Sequence, residues 1–371
     1  MPQNARALIV RELGGPLTFE DVIVDDIRSN EALVKIEASG ICRTDLNAAA
    51  GHHPIQPPAV FGHEVGAGTV LKVGESVTGV QPGDKVLLSY SICRICKQCC
   101  SGNRAYCEKI LALNFGGTRA DGSSALTLPD GQALFSSFFG QSSFSSLAVV
   151  NETSLVKVPS DTPLNLFAPL GCSMETGVGA IFNTLDVQPG STVAVFGVGS
   201  LGLYAIMACK LRQAKEIIAI DIQPSRLELA KDLGATATIN SSEGDVADQI
   251  RTICGTNGLE RALDCSGVAK IIETMIESLG TRGKACSVGS NKPGTRISID
   301  VHKHFVKGTQ YVGSHQGDSD PQKMAPMLIK EHSLGNLPLH KVTTFYNVDD
   351  FQRALDDVQS GETVKAVLTW P

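Results

Sequence analysis

The stretch Ser191–Gly202, "STVAVFGVGSLG", decides how this chain is read. It begins as an apolar run of strand length and ends by opening an apolar helix, so Gly197, Gly199 and Gly202 form G-x-G-x-x-G at a strand-to-helix turn. In that setting each glycine has a task. Gly197 permits the tight turn, Gly199 lets a pyrophosphate approach the backbone, and Gly202 lets helix and strand pack closely while helix N–H groups face the phosphate. About 20 residues further on, Asp221 ends "IIAID", where a carboxylate accepts hydrogen bonds from an adenosine ribose. The plainer role for Asp221 is to cap the next helix. Its charge repels a 2′-phosphate, and Ile222 and Gln223 supply no compensating cation, so NAD is expected over NADP.

On either side of this motif the texture of the chain differs. Beyond "KVPSDTPLNLFAPLGC", apolar strands ("TVAVFG", "EIIAID", "ATATIN", "RALDCSG", "KACSVGS") alternate with helical segments such as "PSRLELAKDLG". That alternation predicts a parallel sheet with helices on both faces. The first ~150 residues read instead as short strands divided by Gly and Pro turns, a β-rich, barrel-like pattern. From Ser314 onward the pattern is mixed again, and "ETVKAVLTWP" reads as a strand returning to the first domain. The expected division is residues 1–173, then 174–313, then a return over 314–371. A formal net charge of −6 argues against nucleic acid as partner, and the longest apolar runs are broken by glycines, unlike a membrane span. The opening "MPQNARALIV" has no basic-then-apolar signal, so a cytoplasmic, reducing compartment is expected.

In such a compartment the five cysteines of "SICRICKQCCSGNRAYC", Ser91–Cys107, need a role other than disulfides. Cys93, Cys96, Cys99 and Cys107 run C-x2-C-x2-C-x7-C, and Cys107 precedes Glu108 rather than the proline common in iron–sulfur loops. Four thiolates on a turn-rich loop suit a closed tetrahedral zinc at roughly 2.3 Å per sulfur. Cys100 is then a spare thiol. Elsewhere "GICRTD" offers Cys42, "FGHE" offers His63 and Glu64, and "PLGCSMETG" offers Cys172. Each alone reads as a buried hydrophobe or a structural histidine. In a fold that brings them together, which their spacing does not prove, two thiolates and an imidazole make a three-ligand zinc site with an open fourth position, able to polarise a substrate oxygen.

With "GICRTD", "GHE", the cysteine loop, "GCSMETG", "VFGVGSLG", "AIDI" and "GETVKAVLT" in this order, the chain resembles the zinc-containing medium-chain alcohol dehydrogenases over essentially its full length. The resemblance implies a GroES-like β-rich catalytic domain, a Rossmann cofactor domain and an active site in the cleft between them. It implies two zinc ions and NAD, a small-molecule alcohol or aldehyde as substrate, and a homodimer or homotetramer. "NFGGTRADGSSAL" and "FFGQSSFSSLAVV" look most like the aryl-alcohol, or benzyl-alcohol, dehydrogenases of that family. Relatives acting on polyols, aliphatic alcohols or a specialised biosynthetic aldehyde are the rival within enzymes. A non-catalytic zinc- and dinucleotide-binding protein is the rival outside them.

By matched position, the resemblance makes Cys42, His63 and Cys172 the catalytic zinc ligands, with Glu64 a supporting carboxylate or transient ligand. Asp45 orients the ligand imidazole, and Thr44 carries the hydroxyl beside the alcohol. Arg43 and Lys365 face the pyrophosphate, Arg226 the adenosine ribose, and the Val288–Gly289 backbone the nicotinamide carboxamide. Tyr90, Phe138 and Phe139 are candidate walls for an aromatic substrate. One position departs from the family's commoner pattern: Asn47 stands where many relatives carry a histidine that ends a proton relay, and an amide does not titrate near neutrality. His52 is a possible substitute.

Overall fold

A computed structural model describes residues 2–291 and 293–371, apart from the side chain of Val65. Its contacts divide the chain into two units. One comprises residues 173–319 and 333–338, the other the residues up to Cys172 together with 320–332 and 339–371.

In the first of these, six strands lie in the spatial order Ala237–Asn240, Glu216–Asp221, Thr192–Phe196, Leu259–Asp264, Leu279–Ser287 and Gln310–Gly313. Every neighbouring pair is parallel. Val193, Ala194, Val195 and Phe196 are all fully buried, as a strand covered on both faces requires. The chain leaves Thr192–Phe196 in one direction and returns on its other side with Leu259–Asp264, so the glycine turn sits at a topological switch point, where such sheets bind ligands.

The other unit is built from two mainly antiparallel sheets. One orders Ala59–Val60, Gln3–Val10, Leu17–Val24 and Leu126–Thr127. The second runs Thr343–Asn347, Lys365–Thr369, Glu31–Gly40, Glu64–Val73, Lys85–Leu88 and Leu155–Lys157, with Leu147–Asn151 pairing onto Glu31–Gly40. The C-terminal strand Lys365–Thr369 pairs antiparallel with Glu31–Gly40, the return that the tail's pattern suggests. Residues 314–319, expected in that returning segment, cluster instead with the parallel-sheet unit. The turn Gln316–Asp318 is bound there: Thr184 Oγ1 donates to Asp318 Oδ2 at 2.7 Å, and Asn183 Nδ2 donates to Gly317 O at 3.0 Å. Among the described residues no helix is long and apolar enough to cross a membrane.

One register matters for chemistry. Glu31–Gly40 pairs with Glu64–Val73 through three irregularities, and the last partners are Gly40 and Glu64. Cys42 follows one strand end and His63 precedes the other, so the ladder delivers both to the same edge.

Candidate active site

Cys42 caps the helix Arg43–Ala49, whose third residue is Asp45. Asp45, 1% exposed, reaches back from that helix: Oδ2 accepts from Cys42 N at 3.1 Å, and Oδ1 accepts from Gly62 N at 3.0 Å and pairs with His63 Nδ1 at 2.9 Å. With Nδ1 facing a carboxylate, Nε2 is the nitrogen left for a metal. Nε2 is buried and has no hydrogen-bond partner among the described residues. Cys172 follows the turn Ala168–Gly171, whose last carbonyl accepts from Ser89 Oγ at 3.0 Å. The donor atoms of Cys42, His63 and Cys172 all lie within 4.8 Å of one another. Two sulfurs at 2.3 Å from a tetrahedral zinc stand roughly 3.8 Å apart, so this is a span that zinc bridges.

The electrostatics agree with that fit. A hydrogen bond with Cys172 holds the Cys42 thiol well below its usual range, aided against burial by the charge of His63. The same bond, with burial, pushes Cys172 well up. Burial disfavours a charged His63, yet Asp45 and Cys42 outweigh it and raise the imidazole to about 10. Asp45 and Cys42 thus favour positive charge beside them, which a divalent cation would also supply.

The cysteine loop brings Cys93, Cys96, Cys99 and Cys107 equally close, again within 4.8 Å, with Cys93 and Cys99 sulfurs 4.0 Å apart. Backbone N–H groups point at the sulfurs: Cys93 N at Cys107, Cys96 N at Cys93, and Cys99 N and Glu108 N at Cys96. The last two hold Cys96 down to about 6. Cys100 is exposed and outside the cluster. Ile95 and Tyr106 of this loop are 76% and 42% exposed, so the loop has little core of its own.

In the parallel-sheet unit, Gly197 adopts φ +88°, a Cβ on Gly202 would stand 2.1 Å from Gly197 O, and the space beside Gly199 is open to 4 Å. Asp221 is largely buried. Its Oδ2 accepts from Val198 N inside the glycine turn at 2.8 Å, and its Oδ1 from Ile222 N and Gln223 N. It thus joins the glycine turn to the start of the helix Pro224–Leu233, in whose first turn Arg226 lies half-buried with Nε unpaired among the described residues. Val288 N and Gly289 N both donate to Asp264 O, at 2.9 and 3.3 Å.

The remaining expected residues divide by surroundings. Arg43 is exposed and Thr44 and Asn47 half-buried, all on the helix that Cys42 caps. Lys365, which the resemblance directs to the pyrophosphate, is 3% exposed and pairs with the fully buried Glu64; it also donates to Ile41 O at 3.0 Å. A buried carboxylate beside His63 needs a counter-charge, and this lysine provides it. Tyr90 is buried. The Phe139 ring lies 4.3 Å from the His63 imidazole and the Phe138 ring 5.5 Å. Phe115, which lies in the stretch resembling aryl-alcohol dehydrogenases but is not among the expected site residues, packs 5.1 Å from Phe139 and 5.2 Å from His53, extending the aromatic group outward from the imidazole.

Comparison with known proteins agrees with this architecture. Residues 28–160 match the alcohol dehydrogenase GroES-like domain and residues 200–330 the zinc-binding dehydrogenase family. Geraniol dehydrogenase of Castellaniella defragrans is 36% identical over 369 residues, covering 99% of this chain and 98% of that protein. Two crystal structures match over 100% of both chains. An alcohol dehydrogenase zinc-binding domain protein from Burkholderia ambifaria is 42% identical with a TM-score of 0.98, and benzyl alcohol dehydrogenase from Acinetobacter calcoaceticus is 36% identical with a TM-score of 0.95. The chain belongs to the zinc-containing medium-chain alcohol dehydrogenases, enzymes with a GroES-like domain and a Rossmann-like domain.

Proposed function

We propose that the protein interconverts a primary aromatic or allylic alcohol and its aldehyde with NAD, holding one zinc on Cys42, His63 and Cys172 and a second on Cys93, Cys96, Cys99 and Cys107. The observation that carries the reading is the convergence of three donors around a buried His63 Nε2 that lacks a partner, with an aromatic ring 4.3 Å from the same imidazole. Bound there, zinc would supply Lewis acidity to a substrate oxygen.

The chain's own residues do the rest. Asp45 fixes the tautomer and tilt of His63, while Phe139 and Phe115 offer π faces to a substrate with a π system next to its carbinol carbon, and the fully buried Phe138 packs behind them. Thr44 offers the hydroxyl that takes the alcohol proton, and Asn47 cannot carry it further as a base. With NAD bound, its nicotinamide would supply the hydride acceptor for the carbinol C–H, and the hydroxyl proton would leave to solvent. Asp221 receives the ribose hydroxyls while the open face at Gly199 admits the pyrophosphate. Benzyl alcohol and geraniol, which name two of the relatives, share the predicted feature. Self-association as a homodimer or homotetramer is supported by Val301, Phe305 and Val306, 76%, 78% and 63% exposed on one short helix.

The test is NADH or NADPH formation against benzyl, cinnamyl and geranyl alcohols, hexanol, ethanol and a polyol. The reading expects the highest kcat/KM with NAD and an aryl or allylic alcohol. Preference for the polyol or ethanol would remove the substrate class, and preference for NADP the cofactor.

A further inference from the structure

The segment Phe138–Phe144 lies directly along the stretch that carries His63. Ser143 N donates to Gly62 O at 2.8 Å and Phe144 N to Phe61 O at 3.0 Å. A Cβ on Gly62 would stand 2.3 Å from Phe144 N, and one on Gly66 2.6 Å from Ser143 Cβ, so glycines on both sides of His63 are what let the two segments touch. To follow this path the chain puts Phe139, Gly140 and Ser142 at φ +52°, +67° and +48°, which is costly for the phenylalanine and the serine. From the middle of this turn comes Gln141, 1% exposed.

Its amide makes three contacts. Oε1 accepts from Gly66 N at 3.0 Å, and Nε2 donates to His63 O at 3.3 Å and, over the longest of the three, to Ser89 O at 3.5 Å. Ser89 in turn holds Gly171 O, one residue before Cys172. Asp45 already ties Cys42 to His63. We propose that Gln141 is a positioning residue that closes the other side of the triangle, tying His63 to Cys172 through Ser89, so that all three donors are held in place before a metal arrives. The proposal rests on the reading of Cys42, His63 and Cys172 as a zinc site.

The amide is suited to this as no apolar side chain of its volume is: only a group with both donor and acceptor satisfies Gly66 N and two carbonyls together. Outer partners of metal ligands typically govern metal affinity by about 10- to 100-fold, because they set the position of the donor atoms. The four-cysteine cluster shares none of these contacts and serves as an internal reference.

The experiment challenges the zinc-loaded enzyme with a chelating indicator and follows release of each zinc over time, for wild type, Gln141→Leu and Ser89→Ala. In Gln141→Leu one of two release phases accelerates by about 10- to 100-fold while the other keeps its wild-type rate. Cobalt substituted at the faster site shows a shifted ligand-field spectrum, a readout that a general loss of packing does not give. Ser89→Ala changes the same phase in the same direction by less, and decides the matter if Gln141→Leu does not fold. Unchanged phases, or equal acceleration of both, overturn the proposal. A wild-type zinc content that Cys172→Ala leaves unchanged would instead reject the three-donor reading beneath it, so the two failures are distinguishable.

Discussion

Replacing Asp45 by asparagine probes the site at the group that bears most of its order. The carboxylate takes three bonds in a position 1% exposed: His63 Nδ1 and Gly62 N on one oxygen, Cys42 N on the other. An asparagine that keeps Oδ1 toward His63 turns its NH2 toward Cys42 N–H, donor against donor. Leaving that part-buried N–H unsatisfied costs up to about 1–3 kcal/mol. The bond to His63 also loses its charge assistance, roughly half its strength, or about 1 kcal/mol. The sum, up to about 2–4 kcal/mol, divides between fold and metal, and the share that falls on zinc weakens its binding by about 10- to 100-fold. Competition with a graded series of chelators measures that share, and thermal melting of the zinc-loaded protein measures the remainder. Zinc partition and melting temperature both equal to wild type would show that Asp45 does not organise the ligands, and the reasoning would fail.

Three further substitutions test separate parts. Asp221→Gly should raise KM for NAD and narrow its advantage over NADP; it should also lower the melting temperature, because Val198, Ile222 and Gln223 N–H lose their acceptor. An unchanged NAD/NADP ratio would contradict the ribose role. Phe139→Leu keeps an apolar side chain beside His63 but removes the π face, worth about 0.5–1.5 kcal/mol, so the kcat/KM ratio of benzyl alcohol to hexanol should fall by about 2- to 13-fold. A ratio that does not fall would place the substrate elsewhere. Cys100→Ser should leave zinc content and melting temperature as they are, since Cys100 lies outside the four-sulfur cluster, and loss of a zinc would show that the wrong neighbour was excluded.

What the sequence reveals follows the range of the interaction that fixes each feature. The glycine turn and the cysteine loop are local: spacing along Gly197–Gly202 and Cys93–Cys107 already dictates the geometry, and Asp221 follows at the next strand end. The convergence of Cys42, His63 and Cys172 is legible only through family resemblance, because it depends on the Gly40–Glu64 register and on Ser89 holding Gly171. Lys365 was visible as a cation and Glu64 as an anion, but nothing along the 301 residues separating them says that they pair. Gln141 and Phe115 fall inside the stretches that resemble aryl-alcohol dehydrogenases, but nothing in those stretches marks either one for its role. The reach of Gln141 depends on a left-handed turn at Phe139, Gly140 and Ser142, and an amide or a phenyl ring has no spacing rule of the kind that marks a metal ligand.

The most direct measurement is zinc content determined alongside benzyl alcohol-dependent NADH formation for wild type and Cys172→Ala. Two zinc ions per wild-type chain, with one retained and turnover abolished in a folded Cys172→Ala protein, is the predicted outcome. Undiminished turnover or unchanged zinc content in Cys172→Ala would contradict the assignment of Cys42, His63 and Cys172 as the catalytic metal site.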